Sequence, residues 1–138
     1  MNGGLTLRIS SPLEALELED VGGLRFEAPD GLRGVRPGHE PALAVVRPGV
    51  LRLVQRQAGA ERTLYVACEG GFLEVSPREA LLTTSWFVRD EDLGALVAAL
   101  ERRGQRRQAL DQEARRLTEL HELAARRALA RLQREVRR

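Results

Sequence analysis

Three islands of glycine and proline limit what this chain can fold into. Residues 31–41 read Gly-Leu-Arg-Gly-Val-Arg-Pro-Gly-His-Glu-Pro, Arg47-Pro48-Gly49-Val50 follows, and Glu69-Gly70-Gly71-Phe72-Leu73-Glu74-Val75 closes the series. Glycine admits positive φ values that a side chain forbids, and proline removes a ladder donor, so each island marks a tight corner. Between corners the apolar residues alternate over short runs. Leu5, Leu7 and Ile9 alternate with Thr6 and Arg8, Leu16 and Leu18 with Glu17 and Glu19, Leu24 and Phe26 with Arg25 and Glu27, and Leu51 and Leu53 with Arg52. Period two is the mark of a half-buried strand. The run Ala42-Leu43-Ala44-Val45-Val46 is continuously apolar and predicts a strand covered on both faces. Pro29-Asp30-Gly31, Ala58-Gly59-Ala60 and Ser76-Pro77 supply further turns. Together these runs predict eight to ten short strands in a sandwich or flattened barrel.

From Arg89 the period changes. Asp90, Glu91 and Asp92 place carboxylates at a helix start, where they suit the positive end of the macrodipole. Leu93, Leu96, Val97 and Leu100 then fall on one helix stripe. A second stripe runs through Leu110, Ala114, Leu117, His121, Ala124 and Ala128, with Leu120, Leu123, Leu129, Leu132 and Val136 widening it. Gly104, among Arg102, Arg103, Arg106 and Arg107, is the expected place for the first helix to end. Residues 89–138 therefore predict either an antiparallel two-helix hairpin or one long kinked helix. The expected class is α+β: an antiparallel β-sandwich domain over residues 1–88 and a helical domain over residues 89–138.

Composition excludes several roles. The chain has 138 residues, is 43% hydrophobic and only 4% aromatic, so its core must be built from Leu, Val and Ala. No apolar run approaches the roughly 20 residues that span a bilayer, so no membrane insertion is expected. Met1-Asn2-Gly3-Gly4 has neither the basic nor the apolar region of a secretory signal. Cys68 is the single cysteine, which rules out an intrachain disulfide, suits a reducing cytosol, and reads as a buried inert thiol. All 22 basic residues are arginine, 9 in residues 1–88 and 13 in residues 89–138, against 11 and 9 acids. The body is therefore net −2 and the tail net +4, which points the tail toward an acidic partner surface.

Chemistry is scarce. His39-Glu40 lacks further ligands near it in sequence, since the other histidine is His121 on the distal helix, so no metal is expected. Gly31, Gly34 and Gly38 lack the lysine and the Ser/Thr of a phosphate loop. No nucleophilic triad can be assembled, and no catalytic residue or cofactor is expected. The arginine pairs 102–103, 106–107, 115–116 and 126–127 spread across a helix surface, since adjacent residues point about 100° apart. The tail past Phe87 has no aromatic residue on which a base could stack, so no nucleic-acid partner is expected.

The order and spacing of the islands resemble the ε subunit of F-type ATP synthases. That family runs Gly-x-x-Gly-apolar-x-Pro-Gly-His-x-Pro-Leu, then Pro-Gly, then Gly-Gly-apolar-apolar-Glu-Val, and the likeness is strongest over residues 24–75. It implies a non-catalytic rotor subunit, one copy per complex, peripheral on the cytoplasmic face of the bacterial inner membrane. Such a subunit couples proton or sodium transport to ATP synthesis or hydrolysis. The resemblance implies a sandwich that packs on the γ subunit and meets the c-ring. It also implies C-terminal helices that extend toward the α/β head and brake hydrolysis. By position, Leu32, Arg33, Val35, Pro37, Gly38 and His39 form the candidate loop facing the ring, although Leu32-Arg33 stands where the family often carries an acid. Arg115, Arg116, Arg126 and Arg127 are the candidate regulatory contacts. Asp92-Leu93-Gly94-Ala95-Leu96 lacks the arginine of the family's Asp-x-x-Arg-Ala motif, so ATP sensing there is not expected. That stretch and residues 125–132 look more like the alternate, N-type branch. The residues alone leave a second reading: a free-standing β-sandwich module that uses arginine-rich helices on an acidic or nucleic-acid partner.

Overall fold

The computed structural model describes residues 3–136. Met1 and Asn2, which open the segment read as lacking a secretory signal, lie outside the described residues. Nine strands precede one helix: β1 Leu5–Ser10, β2 Ala15–Ala28, β3 Gly31–Val35, β4 Ala42–Val46, β5 Gly49–Gln57, β6 Ala60–Cys68, β7 Gly71–Val75, β8 Glu79–Thr84, β9 Phe87–Asp90 and α1 Leu93–Val136. The chain divides into two compact units, Met1–Leu100 and Glu101–Arg138.

In the first unit the strands follow the order β4-β7-β8-β1-β2-β5-β6-β9, with β3 also on β2. The 14-residue β2 belongs to both layers of the sandwich. Its first half pairs with β1, and its second half pairs with β5 and β3. Between them the chain bends at Asp20, whose φ is 54°, and the register slips on both neighbours. A side chain on Gly4 would come within 2.7 Å of the Asp20 backbone, so Gly4 lets β1 start beside this bend. Two strands expected on either side of Glu19 are therefore one strand. β1 runs parallel to β8, and the other pairings are antiparallel.

Inward-facing residues of both layers meet in one core, which includes Leu5, Leu7, Leu24, Phe26, Leu53, Val66, Leu73 and Leu82. Cys68 is buried there, and burial pushes its thiol pKa up, as an inert thiol requires. The hairpin at Ala58-Gly59 has both residues at positive φ, 52° and 78°, the pair of values a tight turn matched to strand twist needs. β4 departs from expectation. Ala44 and Val46 are buried but Leu43 and Val45 are exposed, because β4 ends the sheet and nothing in this unit covers its outer face. Phe72, opposite Val45 on β7, extends that apolar surface.

Leu96 in the second helical turn is buried, so the opening turns of α1 form part of the first unit. Asp92 caps the helix: its Oδ1 accepts from the Gly94 and Ala95 amides at 2.9 and 3.4 Å. The expected break at Gly104 is absent, and α1 runs 44 residues through it. A mid-helix glycine costs about 1 kcal/mol relative to alanine, and a flank rich in Arg, Gln, Ala and Leu with no proline outweighs that cost. Of the two arrangements expected for residues 89–138, the hairpin is therefore not the one formed.

Two glycines make contrasting tests. A Cβ on Gly71 would fall on the Thr83 carbonyl oxygen of the paired β8, at φ 149°. Gly38 has open space around it but a φ of 86°. Gly71→Ala should therefore cost roughly 3 kcal/mol or more, and Gly38→Val about 1–2 kcal/mol from backbone strain alone. Urea unfolding of both variants checks the ranking. Gly104→Ala meets nothing within 4 Å and should strengthen the helix by about 1 kcal/mol, read as a higher midpoint of the helical signal at 222 nm.

Candidate functional site

The corner at residues 31–39 is held from three directions. β3 pairs with β2 from Leu24↔Val35 to Ala28↔Gly31. At its start, the Arg33 guanidinium donates to Asp30 Oδ2 at 2.8 Å, which holds the Asp30 carboxyl below its ordinary pKa and raises that of Arg33. At its end, the Gly38 amide donates to the Pro77 carbonyl at 2.7 Å, tying the corner to the turn between β7 and β8. The His39 amide donates to the Arg36 carbonyl at 3.2 Å, and its Nδ1 lies 2.7 Å from the Glu40 carbonyl. The backbone there is fixed and the side chains are presented outward.

Leu32 is 80% exposed, Arg33, Gly38 and His39 are exposed, and Pro37 is half-buried. Val35 faces the core opposite Leu24, so it supports the corner from beneath and adds nothing to its surface. Five of the six candidate residues are thus at least partly exposed along this corner. Arg115, Arg116, Arg126 and Arg127 lie in the second unit, all exposed on α1. Leu110, Leu117, Leu120, Leu129 and Leu132 on the same unit are each more than half exposed, since one helix has no partner of its own to bury them.

A polar connection not foreseen from the sequence runs behind the β2 bend. Gln55, nearly buried, donates from Nε2 to the Glu19 carbonyl at 2.8 Å. Its Oε1 accepts from Arg62 at 3.0 and 3.2 Å, and Arg62 also reaches Glu91 at 3.2 Å. Gln55 continues the inward series Leu51, Leu53, and a polar residue at such a position was the available signal. No group of three or more His, Cys, Asp or Glu that could hold a metal ion occurs among the described residues. No helix of the described residues is long and apolar enough to cross a membrane.

A shallow groove of about 840 Å3 opens beside the corner, floored by Gly22, Gly23 and Gly34. Arg25, Arg33, Arg36 and Arg52 line it together with His39. This convergence is not legible in the residues, because it depends on the register of β3, β2 and β5.

Comparison with known proteins agrees with this geometry. Residues 4–89 match the family described as ATP synthase, Delta/Epsilon chain, beta-sandwich domain. The chain is 39% identical over 114 residues to ATP synthase epsilon chain 2 of Cereibacter sphaeroides, covering 81% of this chain and 74% of the relative. Among solved structures, it resembles a chain of the Euglena gracilis mitochondrial ATP synthase (OSCP/F1/c-ring) with a TM-score of 0.55 and 23% identity, over 72% of this chain and 63% of that one. A chain of the Tetrahymena thermophila mitochondrial ATP synthase central stalk and c-ring aligns with a TM-score of 0.49 and 12% identity, over 62% and 66%. The chain thus spans about two thirds of the length of these solved relatives. With the sandwich, its capped helix and the matched span in agreement, the chain belongs to the ATP synthase delta/epsilon family.

Proposed function

We propose that this chain is a non-catalytic ε subunit in the central stalk of a rotary F-type ATP synthase, peripheral on the cytoplasmic face of a bacterial membrane. The observation that carries this reading is the match over residues 4–89, which coincides with the nine-stranded sandwich. The sandwich is the assembly part: it joins the γ subunit and turns the rigid 31–39 corner toward the c-ring. Leu32 is 80% exposed at that corner and Arg33 beside it is paired with Asp30, so the ring contact is apolar with a paired charge at its side. The designation of the relative as chain 2 supports the alternate-branch likeness carried by Asp92-Leu93-Gly94-Ala95-Leu96.

The helical unit is the regulatory part. Its arginines and exposed leucines suit a surface that offers carboxylates beside an apolar groove, and the α/β head is the partner we assign. Bound there, the helix resists rotation in the hydrolysis direction. A helix that binds one rotor state better than another shifts the population toward that state by its difference in affinity.

Two experiments test this reading. A tagged full-length chain expressed in its own cell should co-purify with γ-containing ATPase, and its absence from that complex would end the proposal. In the assembled enzyme, deletion of residues 101–138 keeps Leu96 and the first unit whole. That deletion, or replacement of Arg115, Arg116, Arg126 and Arg127 by Ala, should leave assembly intact and raise ATP hydrolysis by about threefold or more. Unchanged hydrolysis in both would show that the helix is no brake.

A further inference from the structure

We propose that the groove between β3, β2 and β5 binds a phosphate group, a role beyond stalk assembly at a site that shares Leu32, Arg33 and His39 with the corner assigned to the ring. Across this sandwich surface arginines are set opposite acids. Arg8 stands opposite Glu17 and Arg56 opposite Glu61, each forming an ion pair. Arg47 pairs with Glu27 and Arg33 with Asp30. At the groove the pattern reverses. Arg25 on β2 stands directly opposite Arg52 on β5, both exposed, and the residue opposite Arg25 on its other side is Gly34. Like charges directly opposite in a sheet repel. Among the described residues neither arginine, nor Arg36 at the groove's end, has an ion-pair partner within 4.0 Å. The one carboxylate lining the groove, Glu61, is engaged by Arg56 at 3.9 Å.

Gly22, Gly23 and Gly34 contribute no side chains to the lining, which leaves room beside the two guanidiniums. The volume, about 840 Å3, is that of a small-molecule site, typically about 300–1,000 Å3. Guanidinium matches phosphate oxygens in pairs, and a doubly charged phosphate can face two guanidiniums at once where a carboxylate neutralises one. Leu32 and Val54 add apolar edges on which a group carrying the phosphate could rest.

Inorganic pyrophosphate titrated into the full-length chain at low salt, followed by amide NMR, is the test. Gly22, Gly23 and Gly34 amides should shift with a Kd below about 1 mM, and added salt should weaken binding. The double variant R25Q/R52Q should raise Kd at least about tenfold, whereas R115Q/R116Q, which removes equal charge from the other unit, should leave it nearly unchanged. R25Q/R52Q should also melt higher than the wild type without ligand, because the repulsion is gone. Phosphatidylglycerol vesicles that bind the chain and compete with pyrophosphate would place the phosphate on a lipid; pyrophosphate binding without vesicle binding would place it on a soluble molecule. No shift at about 10 mM pyrophosphate, equal loss in R115Q/R116Q, or saturation of the groove by a glutamate-rich peptide but not by pyrophosphate would each overturn the proposal.

Discussion

One strand has to belong to two layers, and the rest of the sandwich follows from how β2 manages it. Val21 is the residue at the crossing: it pairs with Leu5 of β1 on one side and Gln55 of β5 on the other, and it is fully buried. A strand cannot turn between layers without giving up ladder bonds, and buried backbone groups that lose partners are costly. Gln55 meets that need by donating to the Glu19 carbonyl just before the bend. Arg62 then holds Gln55 from β6 and reaches Glu91 beside the helix cap. The corner of the sandwich and the start of the helix are thus joined by one chain of hydrogen bonds. Such a network specifies geometry because the buried Gln55 amide would be unsatisfied without the Glu19 carbonyl and Arg62.

Much of this was legible in the residues. Gly70-Gly71, Ala58-Gly59 and Pro77 fall at corners because each has a local conformational reason to be there, and local reasons survive without tertiary knowledge. The helix stripe and the helix start at Asp90-Glu91-Asp92 were legible for the same cause, whereas Asp92 as the capping residue comes from the structure. What escaped depends on neighbours far away in sequence. Leu16–Glu19 and Leu24–Glu27 read as two separate alternating runs, yet pairing on both sides keeps them in one bulged strand. Ala42–Val46 reads as doubly covered because all five residues are apolar, yet its edge position leaves Leu43 and Val45 outside. Gly104 reads as a stop, yet a stop also needs a chain that turns away, and the flanking residues favour going on. The facing of Arg25 and Arg52 needed the register itself.

The two units divide the chain's physical character as well as its length. The first buries its apolar residues in one core and satisfies its surface arginines almost wherever an acid faces them. The second keeps its leucines exposed and carries most of the positive charge. An element built in that way depends on a partner to bury its stripe, which is the condition for a part that changes state when its surroundings change.

The parallel pairing of β1 with β8 sets an order of events. Thr6 joins Glu79 and Ser10 joins Thr83, so β1 is not flanked on both sides until nearly the whole sandwich has been made. A closure over such a separation carries a large loop entropy and slows folding relative to hairpins such as β5–β6. Until then β1 has one open edge and an apolar face, the conditions under which strands pair wrongly. Arg8 and the adjoining turn at Ser11-Pro12 are the charge and the proline available to guard that edge while it waits. The two layers therefore close last where β8 comes to lie beside β1.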